Sequence, residues 1–123
     1  MTKRIEEFTC EGKSFVYIDF SGLKANDAFQ NLMELIKPVI AKYPEKSLYT
    51  VTNIASGMFD SDVRKTAAEY LRHNEPYVKY GAIIGLDGIK KMICNAIIKV
   101  SGRTNMTFAF TREQAIDWLL KQN

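Results

Sequence analysis

Segments typical of β-strands alternate with segments typical of helices over most of this chain, and this order constrains the fold more than any other feature. Because strands separated by a helix pair in parallel through a right-handed crossover, the alternation predicts one sheet with helices packed against it. Only the tight turn Glu11-Gly12-Lys13 separates the first two strands, so they are expected to form an antiparallel hairpin. The predicted fold class is therefore α/β, with an N-terminal β-hairpin followed by αβαβαβα and a five-stranded mixed sheet.

Runs of β-branched and aromatic residues mark the five strands. The strands are expected at residues 4–9, 14–20, 47–54, 78–85 and 106–110. In the second strand Phe15 and Tyr17 alternate with Val16 and Ile18, so both of its faces are apolar. Such a strand is expected to be covered on both sides of the sheet.

Capping residues and apolar repeats mark four helices. Asp27, with Gln30 three residues later, is expected to cap the first helix. Pro38 is expected either to kink this helix or to divide it in two. The second helix is expected at residues 60–73 and ends before Pro76, since the residue preceding a proline avoids helical angles.

The third and fourth helices carry clear boundary signals. Asp87 is expected to cap the third helix, and Gly102 to end it in the left-handed conformation. Thr111 and Gln114 form a capping box that opens the fourth helix, which ends near Leu120. The apolar residues expected to form the buried stripe of the third helix are Ile89, Met92, Ile93, Ala96, Ile97 and Val100.

The length of 123 residues is that of one ordinary domain, so a single domain over residues 1–123 is predicted. The apolar fraction of 46% and the charged fraction of 25% are typical of globular proteins. A net charge of +3 gives only a weak attraction to nucleic acid. Lys91, Lys99 and Arg103 are interpreted as one solvated helix face, with an anionic binding patch as the alternative, and no nucleic-acid partner is expected.

The two cysteines, Cys10 and Cys94, lie far apart and outside any C-x-x-C pair. Free thiols in a reducing cytoplasm are the simplest interpretation. The first residues are charged where a secretory segment would be apolar, and no apolar run approaches the roughly 20 residues that span a bilayer. A cytoplasmic location without a transmembrane segment is therefore expected.

The sequence offers few residues for catalysis or metal binding. His73 is its only histidine and falls at a helix end, where the helix dipole favours a positive side chain. One histidine and two scattered thiols do not make a closed tetrahedral metal site. The spacing of Gly81, Gly85 and Gly88 does not fit a dinucleotide-binding pattern. A non-enzymatic protein without metal or cofactor is expected.

The loop at residues 52–61 is the best candidate for a working surface, because partners and ligands of parallel α/β sheets meet the carboxyl ends of the strands. The residues expected to recognise a partner or ligand are Asn53, Ser56, Met58 and Phe59. The candidate phospho-acceptors are Ser61 and Ser56. An alternative stays open, in which Phe59 packs into the core and Asp60 or Ser61 caps the next helix.

Four segments make the chain similar to a known family: residues 16–22 (VYIDFSG), 44–47 (PEKS), 73–79 (HNEPYVK) and 101–103 (SGR). With these the chain resembles the STAS domain of anti-sigma-factor antagonists and, more closely, short stand-alone bacterial SpoIIAA-like proteins. The resemblance implies a non-enzymatic regulatory or protein-interaction module in signalling. It also implies a switch in which a serine is phosphorylated at the start of the helix that follows a central strand. The corresponding position lies in the loop from Asn53 to Ser61, and Asn53 stands where the family would have an acidic residue.

SpoIIAA-like proteins also resemble lipid-binding CRAL-TRIO domains, and this second resemblance implies a rival function. The chain would then hold a small apolar or lipid-like ligand between the sheet and its helices, or act at a membrane surface. The adaptable side chains that could line such a space are Met33, Met58, Phe59 and Met92. The identity of a protein partner or ligand and the formation of a homodimer stay open.

Overall fold

The structure, a computed structural model, describes residues 4–23, 26–56 and 61–122. Within these ranges the chain forms five strands and four helices in the predicted order. The elements are β1 (Ile5–Cys10), β2 (Lys13–Asp19), α1 (Asn26–Ala41), β3 (Leu48–Asn53), α2 (Ser61–Asn74), β4 (Val78–Ile84), α3 (Gly88–Ser101), β5 (Met106–Phe108) and α4 (Arg112–Leu120). The predicted α/β fold class is confirmed.

The sheet follows the order β1-β2-β3-β4-β5, with β1 antiparallel to β2 and the other neighbouring pairs parallel. Cys10 lies opposite Lys13 in the hairpin, and Glu11 and Gly12 between them both have positive φ angles, of 51° and 78°. A two-residue loop in which both φ angles are positive has a backbone twist that matches the twist of the two antiparallel strands. Because each crossover joins adjacent parallel strands with the same hand, α1, α2 and α3 lie on one face of the sheet.

Two apolar clusters cover the two faces of the sheet. The larger cluster packs α1, α2 and α3 on one face, where Val16 and Ile18 of β2 are buried. The smaller cluster packs Ala115 and Leu119 of α4 on the opposite face, together with Phe15 of β2. Alternate residues of one strand therefore enter different clusters, as expected for a strand covered on both sides.

The beginning of α1 differs from the prediction. The helix already includes Asn26, so Asp27 lies within its first turn and is not the residue that caps it. An acidic side chain there still faces the positive end of the helix dipole. Pro38 lies inside α1, which continues to Ala41, so a division at this proline is wrong. Buried Leu32, Met33, Ile36 and Ile40 anchor the helix to the core on both sides of the proline.

The caps of the later helices agree with the predicted ones. The Asp87 carboxylate accepts a hydrogen bond from the Lys90 amide at 3.0 Å. Gly102 ends α3 with a φ of 82°. The Thr111 hydroxyl accepts a hydrogen bond from the Gln114 amide at 3.1 Å, and the Gln114 side chain accepts one from the Phe110 amide at 3.2 Å. These signals need only local sequence, which explains why they were predictable.

The buried stripe predicted for α3 is wrong. Ile89, Met92 and Val100 are 75%, 74% and 66% exposed, and the buried residues are Cys94, Ile97 and Ile98. The helix carries apolar residues on two adjacent faces, and only one of them can pack against the sheet. Of the predicted stripe, Ile97 is buried and Ile93 is half-buried.

Arg103 does not share a solvated face with Lys91 and Lys99, because its side chain is only 5% exposed. Its guanidinium donates hydrogen bonds to the Leu71 carbonyl at 3.2 Å and to the Asn105 side chain at 2.8 Å. Leu71 belongs to the last turn of α2, where a positive charge is favourable. Burial lowers the pKa of Arg103, and the neighbouring Glu75 opposes that shift. Arg103 thus stabilises the end of α2.

Candidate functional site

The carboxyl end of β3 lies between the ends of two parallel neighbours. Asn53, the last residue of β3, pairs with Asp19 of β2 on one side and with Ile84 of β4 on the other. The next residues, 54–56, continue from this central position along the edge of the sheet where α1, α2 and α3 begin. The predicted working loop therefore starts at the middle of the carboxyl edge, the usual place for ligands and partners of such sheets.

The half-buried side chain of Asn53 shapes the loop that follows it. Its Oδ1 atom accepts a hydrogen bond from the Ala55 amide at 3.0 Å, which closes a tight turn over two residues. Its Nδ2 atom donates to the hydroxyl of Tyr17 at 3.1 Å. Both polar atoms of the amide are thus bonded within the protein, so Asn53 positions the loop backbone. Direct recognition of a partner by Asn53 stays a prediction.

Hydrogen bonds from both neighbouring strands hold the same loop. The Phe20 amide donates to the Asn53 carbonyl and the Gly22 amide to the Ala55 carbonyl, each at 2.8 Å. From the other side, the Ile54 amide donates to the carbonyl of Ile84 at 3.1 Å. Residues 53–55 are therefore held in one backbone conformation by bonds on both sides.

Gly85 allows β4 to pass close to this loop. Its φ is 86°, and a Cβ atom at this position would lie 2.6 Å from both the Ala55 nitrogen and the Asn53 Oδ1 atom. Only glycine combines this backbone angle with so close an approach. The glycine that did not fit a nucleotide-binding pattern thus has a packing role at the predicted site.

The serine hydroxyls of the site lie at the surface. Ser56 is exposed and has a φ of 59°, in the left-handed region. Ser61 is exposed and is the first residue of α2. Both positions are open to a modifying enzyme, but phosphorylation of either serine stays a prediction. The predicted recognition residues Met58 and Phe59 lie outside the described residues, as does Asp60.

The end of β2 is stabilised beside the loop by an arginine that sequence reasoning missed. Arg4 donates hydrogen bonds to the carbonyls of Asp19 and Ser21, both at 2.9 Å. The Asp19 carboxylate accepts a bond from the Ser21 amide at 2.8 Å and lies 3.9 Å from the Arg4 guanidinium. An Asp two residues before Ser21 has the spacing of such a side-chain turn, but nothing local indicates the arginine.

A small apolar cavity lies between the sheet and helices α1, α2 and α3, on the face that the larger apolar cluster covers. Its volume is about 70 Å³, and its lining includes Phe29, Met33, Tyr70 and Ile98. Pockets for drug-sized ligands are usually about 300–1,000 Å³, so this cavity is small for a lipid. Met92 lines a different space, the outer groove between α2 and α3. The structure therefore does not bring Met33 and Met92 together around one ligand.

The titratable groups Cys94 and Tyr70 are buried in this core, and burial changes their pKa values. Burial raises the pKa of the Cys94 thiol to about 12, with a small opposing effect of Lys90. Burial also raises the pKa of the Tyr70 phenol, against opposing effects of Asn74 and Arg103. The His73 ring lies 3.0 Å from the Asn74 side-chain oxygen. The Cys94 thiol and the Tyr70 phenol are therefore protonated near neutral pH.

The described residues contain neither a candidate metal site nor a candidate membrane-spanning helix. Residues 4–23, 26–56 and 61–122 contain no group of three or more His, Cys, Asp or Glu residues that could hold a metal ion. Within the same ranges no helix has the length and apolar character to cross a membrane.

Comparisons with known proteins point to one fold. No protein-family model matches the sequence, and no curated protein matches it either. Among solved structures, the chain is similar to an uncharacterised protein of the DUF3478 family from Shewanella loihica PV-4, which has a SpoIIAA-like fold. The two share 15% sequence identity with a TM-score of 0.68, and the match covers 94% of this chain and 91% of the other. The chain thus has a SpoIIAA-like fold, as the resemblance implied.

Proposed function

We propose that this protein is a non-enzymatic regulatory module that binds a protein partner at the carboxyl edge of its sheet. The proposed surface consists of residues 53–56 and the start of α2 at Ser61. The observation that carries the proposal is the fixed backbone of residues 53–55, which leads directly to the exposed Ser56. A loop held in one conformation loses little entropy on binding, and this favours recognition.

The SpoIIAA-like fold supports the proposal only at the level of architecture, because one fold can serve many functions. The non-enzymatic part is supported by the surroundings of the groups that could catalyse. The Cys94 thiol is buried and its pKa is raised to about 12. A reactive cysteine needs a lowered pKa and access to solvent, which is the opposite situation.

Regulation would act through a negative charge at Ser61 or Ser56. A phosphate at Ser61 would lie at the start of α2, where the helix dipole stabilises it. The neighbouring Asp62 would repel the same phosphate. The modification would therefore change the charge of the partner surface with little effect on the fold.

Affinity capture from the source organism, with quantification of bound proteins by mass spectrometry, tests the proposal. Ser61→Ala is expected to capture the partner like the wild type, whereas Ser61→Glu is expected to lose most of it. Thr104→Glu is the matched control, because Thr104 is exposed just before β5, at the opposite edge of the sheet. Equal capture by all three variants would contradict the proposed surface.

Binding of a small apolar ligand is the second candidate function. The observation in its favour is the apolar cavity between the sheet and the helices, but a volume of about 70 Å³ requires the helices to move before a lipid fits. Native mass spectrometry of the purified protein would show a lipid-like mass bound to it. A clean mass of the chain alone would count against this function.

A further inference from the structure

An open groove runs between α2 and α3 on the outside of the protein, and its volume is about 630 Å³. Its apolar part comes mainly from α3, through Met92, Ile93, Ala96 and Val100. Three of these residues, Met92, Ala96 and Val100, follow one another at intervals of four and form one line along the helix. Ala68 of α2 also lines the groove, and its small side chain does not fill the space between the two helices.

The apolar residues of this groove remain in contact with water. Met92 is 74% exposed and Val100 66% exposed, and Ile89, just beyond the groove on α3, is 75% exposed. Single exposed apolar residues are common on proteins, but a continuous group of them marks a binding surface. The second apolar face of α3, which the sequence suggested as core, is therefore unoccupied surface in this domain.

The α2 side of the groove is mostly positive. Among the described residues, Lys65 and Arg72 line it together with Arg64 and the carboxylate of Glu69. Arg72 also donates a hydrogen bond to the Val100 carbonyl at 3.1 Å, which places its charge at the end of the apolar line. Lys99, exposed on α3, adds a further positive charge near that end. A partner that fits this surface needs apolar residues in the middle and acidic residues at the margin.

We propose that the groove binds an acidic amphipathic helix of a protein partner. Two helices side by side form a concave surface that fits a third helix, with apolar residues at intervals of three and four. The 14 residues of α3 extend over about 21 Å, which matches a partner helix of roughly the same length. A flat lipid surface would fit this concave shape less well. This inference goes beyond the proposed function, because it concerns a second surface, between α2 and α3, and names the chemistry of the partner that would bind there.

A displayed library of random 14-residue peptides tests the inference on the purified domain. Peptides selected against the wild type are expected to be amphipathic helices with acidic margins, as judged from their sequences and circular dichroism. Met92→Glu is expected to weaken their binding by at least about tenfold, because it replaces a large exposed apolar side chain of the groove with a carboxylate that repels an acidic helix. Lys65→Glu is expected to weaken it several-fold. Leu35→Glu is the matched control, since Leu35 is 64% exposed on α1, and it should bind normally.

Three outcomes would overturn the inference. The first is a selection that enriches no acidic helices, or helices that bind Met92→Glu equally well. The second is sedimentation with phosphatidylserine vesicles that Met92→Glu abolishes, which would assign the groove to a membrane. The third is a dimer in light scattering that Met92→Glu dissociates, which would assign it to a second copy of the chain. Ser56→Glu, in the loop after β3, should still bind the peptides, so failure at the groove remains distinguishable from failure at the loop.

Discussion

The loop after β3 and the outer face of α3 are both candidate surfaces, but they differ in how the fold uses their side chains. In the loop, Asn53 is bonded to Ala55 and Tyr17, and the backbone is bonded to β2 and β4. On the outer face of α3, Met92 and Val100 are mostly exposed. A polar strand end can thus serve the fold itself, whereas an apolar helix face that looks like core can be left for a partner.

The largest expected effect separates the two faces of α3. Ile98→Ala removes a buried side chain from the larger cluster and is expected to lower the free energy of unfolding by about 2–5 kcal/mol. Met92→Ala, at an exposed position, is expected to change it by no more than about 0.5 kcal/mol. Urea unfolding followed by circular dichroism measures both. Similar losses from the two substitutions would mean that the outer face is packed after all.

The next effect tests the close packing around the loop. Gly85→Ala combines an unfavourable backbone angle with contacts of 2.6 Å, and is expected to lower the free energy of unfolding by about 2–3 kcal/mol. Gly12→Ala is the matched control, because its φ is also positive but an added Cβ meets no atom of the described residues within 4 Å. The control should cost only about 1–2 kcal/mol. Equal melting shifts would argue against a tight approach of β4 to the loop.

A smaller effect is expected from the Asn53 amide. Asn53→Ala removes two hydrogen bonds and is expected to cost about 1–2 kcal/mol. Asn53→Asp should cost less, since a carboxylate still accepts from the Ala55 amide and can accept from the Tyr17 hydroxyl. Asn95→Ala, at an exposed position of α3, provides the baseline in the same unfolding experiment. If Asn53→Ala matched that baseline, the side chain would be free to recognise a partner directly.

The last prediction compares the reactivity of the two thiols, Cys10 and Cys94, in the native protein. Burial raises the pKa of Cys94 to about 12, so at pH 8 only roughly one molecule in ten thousand carries the thiolate. This fraction rises with pH toward 12, because the thiolate forms by loss of a proton. Native protein treated with iodoacetamide should therefore be alkylated at the half-buried Cys10 before Cys94, as peptide mass spectrometry would show. Alkylation of both at equal rates without denaturant would contradict the buried inner face of α3.

Local signals were enough to predict the order of the elements. The strand patterns, the capping residues Asp87 and Thr111 and the stop at Gly102 each act within a few residues of the chain. Short crossovers between neighbouring strands then left little freedom for the sheet order. The helix cap at Asp27 failed because the helix begins one residue before it.

Tertiary contacts decided what the sequence could not indicate. The periodicity of α3 allowed two apolar faces, and only packing against the sheet selects the face with Cys94 and Ile98. The sequence predicts a solvent-exposed Arg103, because charged side chains usually lie at the surface. Its hydrogen bond to the Leu71 carbonyl at the end of α2 joins residues 32 apart in the chain, so no local signal indicates it. The position of Asn53 at the carboxyl end of β3 follows from the strand pattern, whereas its hydrogen bond to Tyr17 spans 36 residues and has no local signal.

Photo-crosslinking tests the central proposal, partner binding at the carboxyl edge of the sheet, most directly. A photoreactive residue placed at exposed Ser56 is expected to give a covalent adduct with a protein partner in the source organism. The same residue at exposed Thr104, before β5, is expected to give none. Adducts from Thr104 alone, or equal adducts from both positions, would contradict the account.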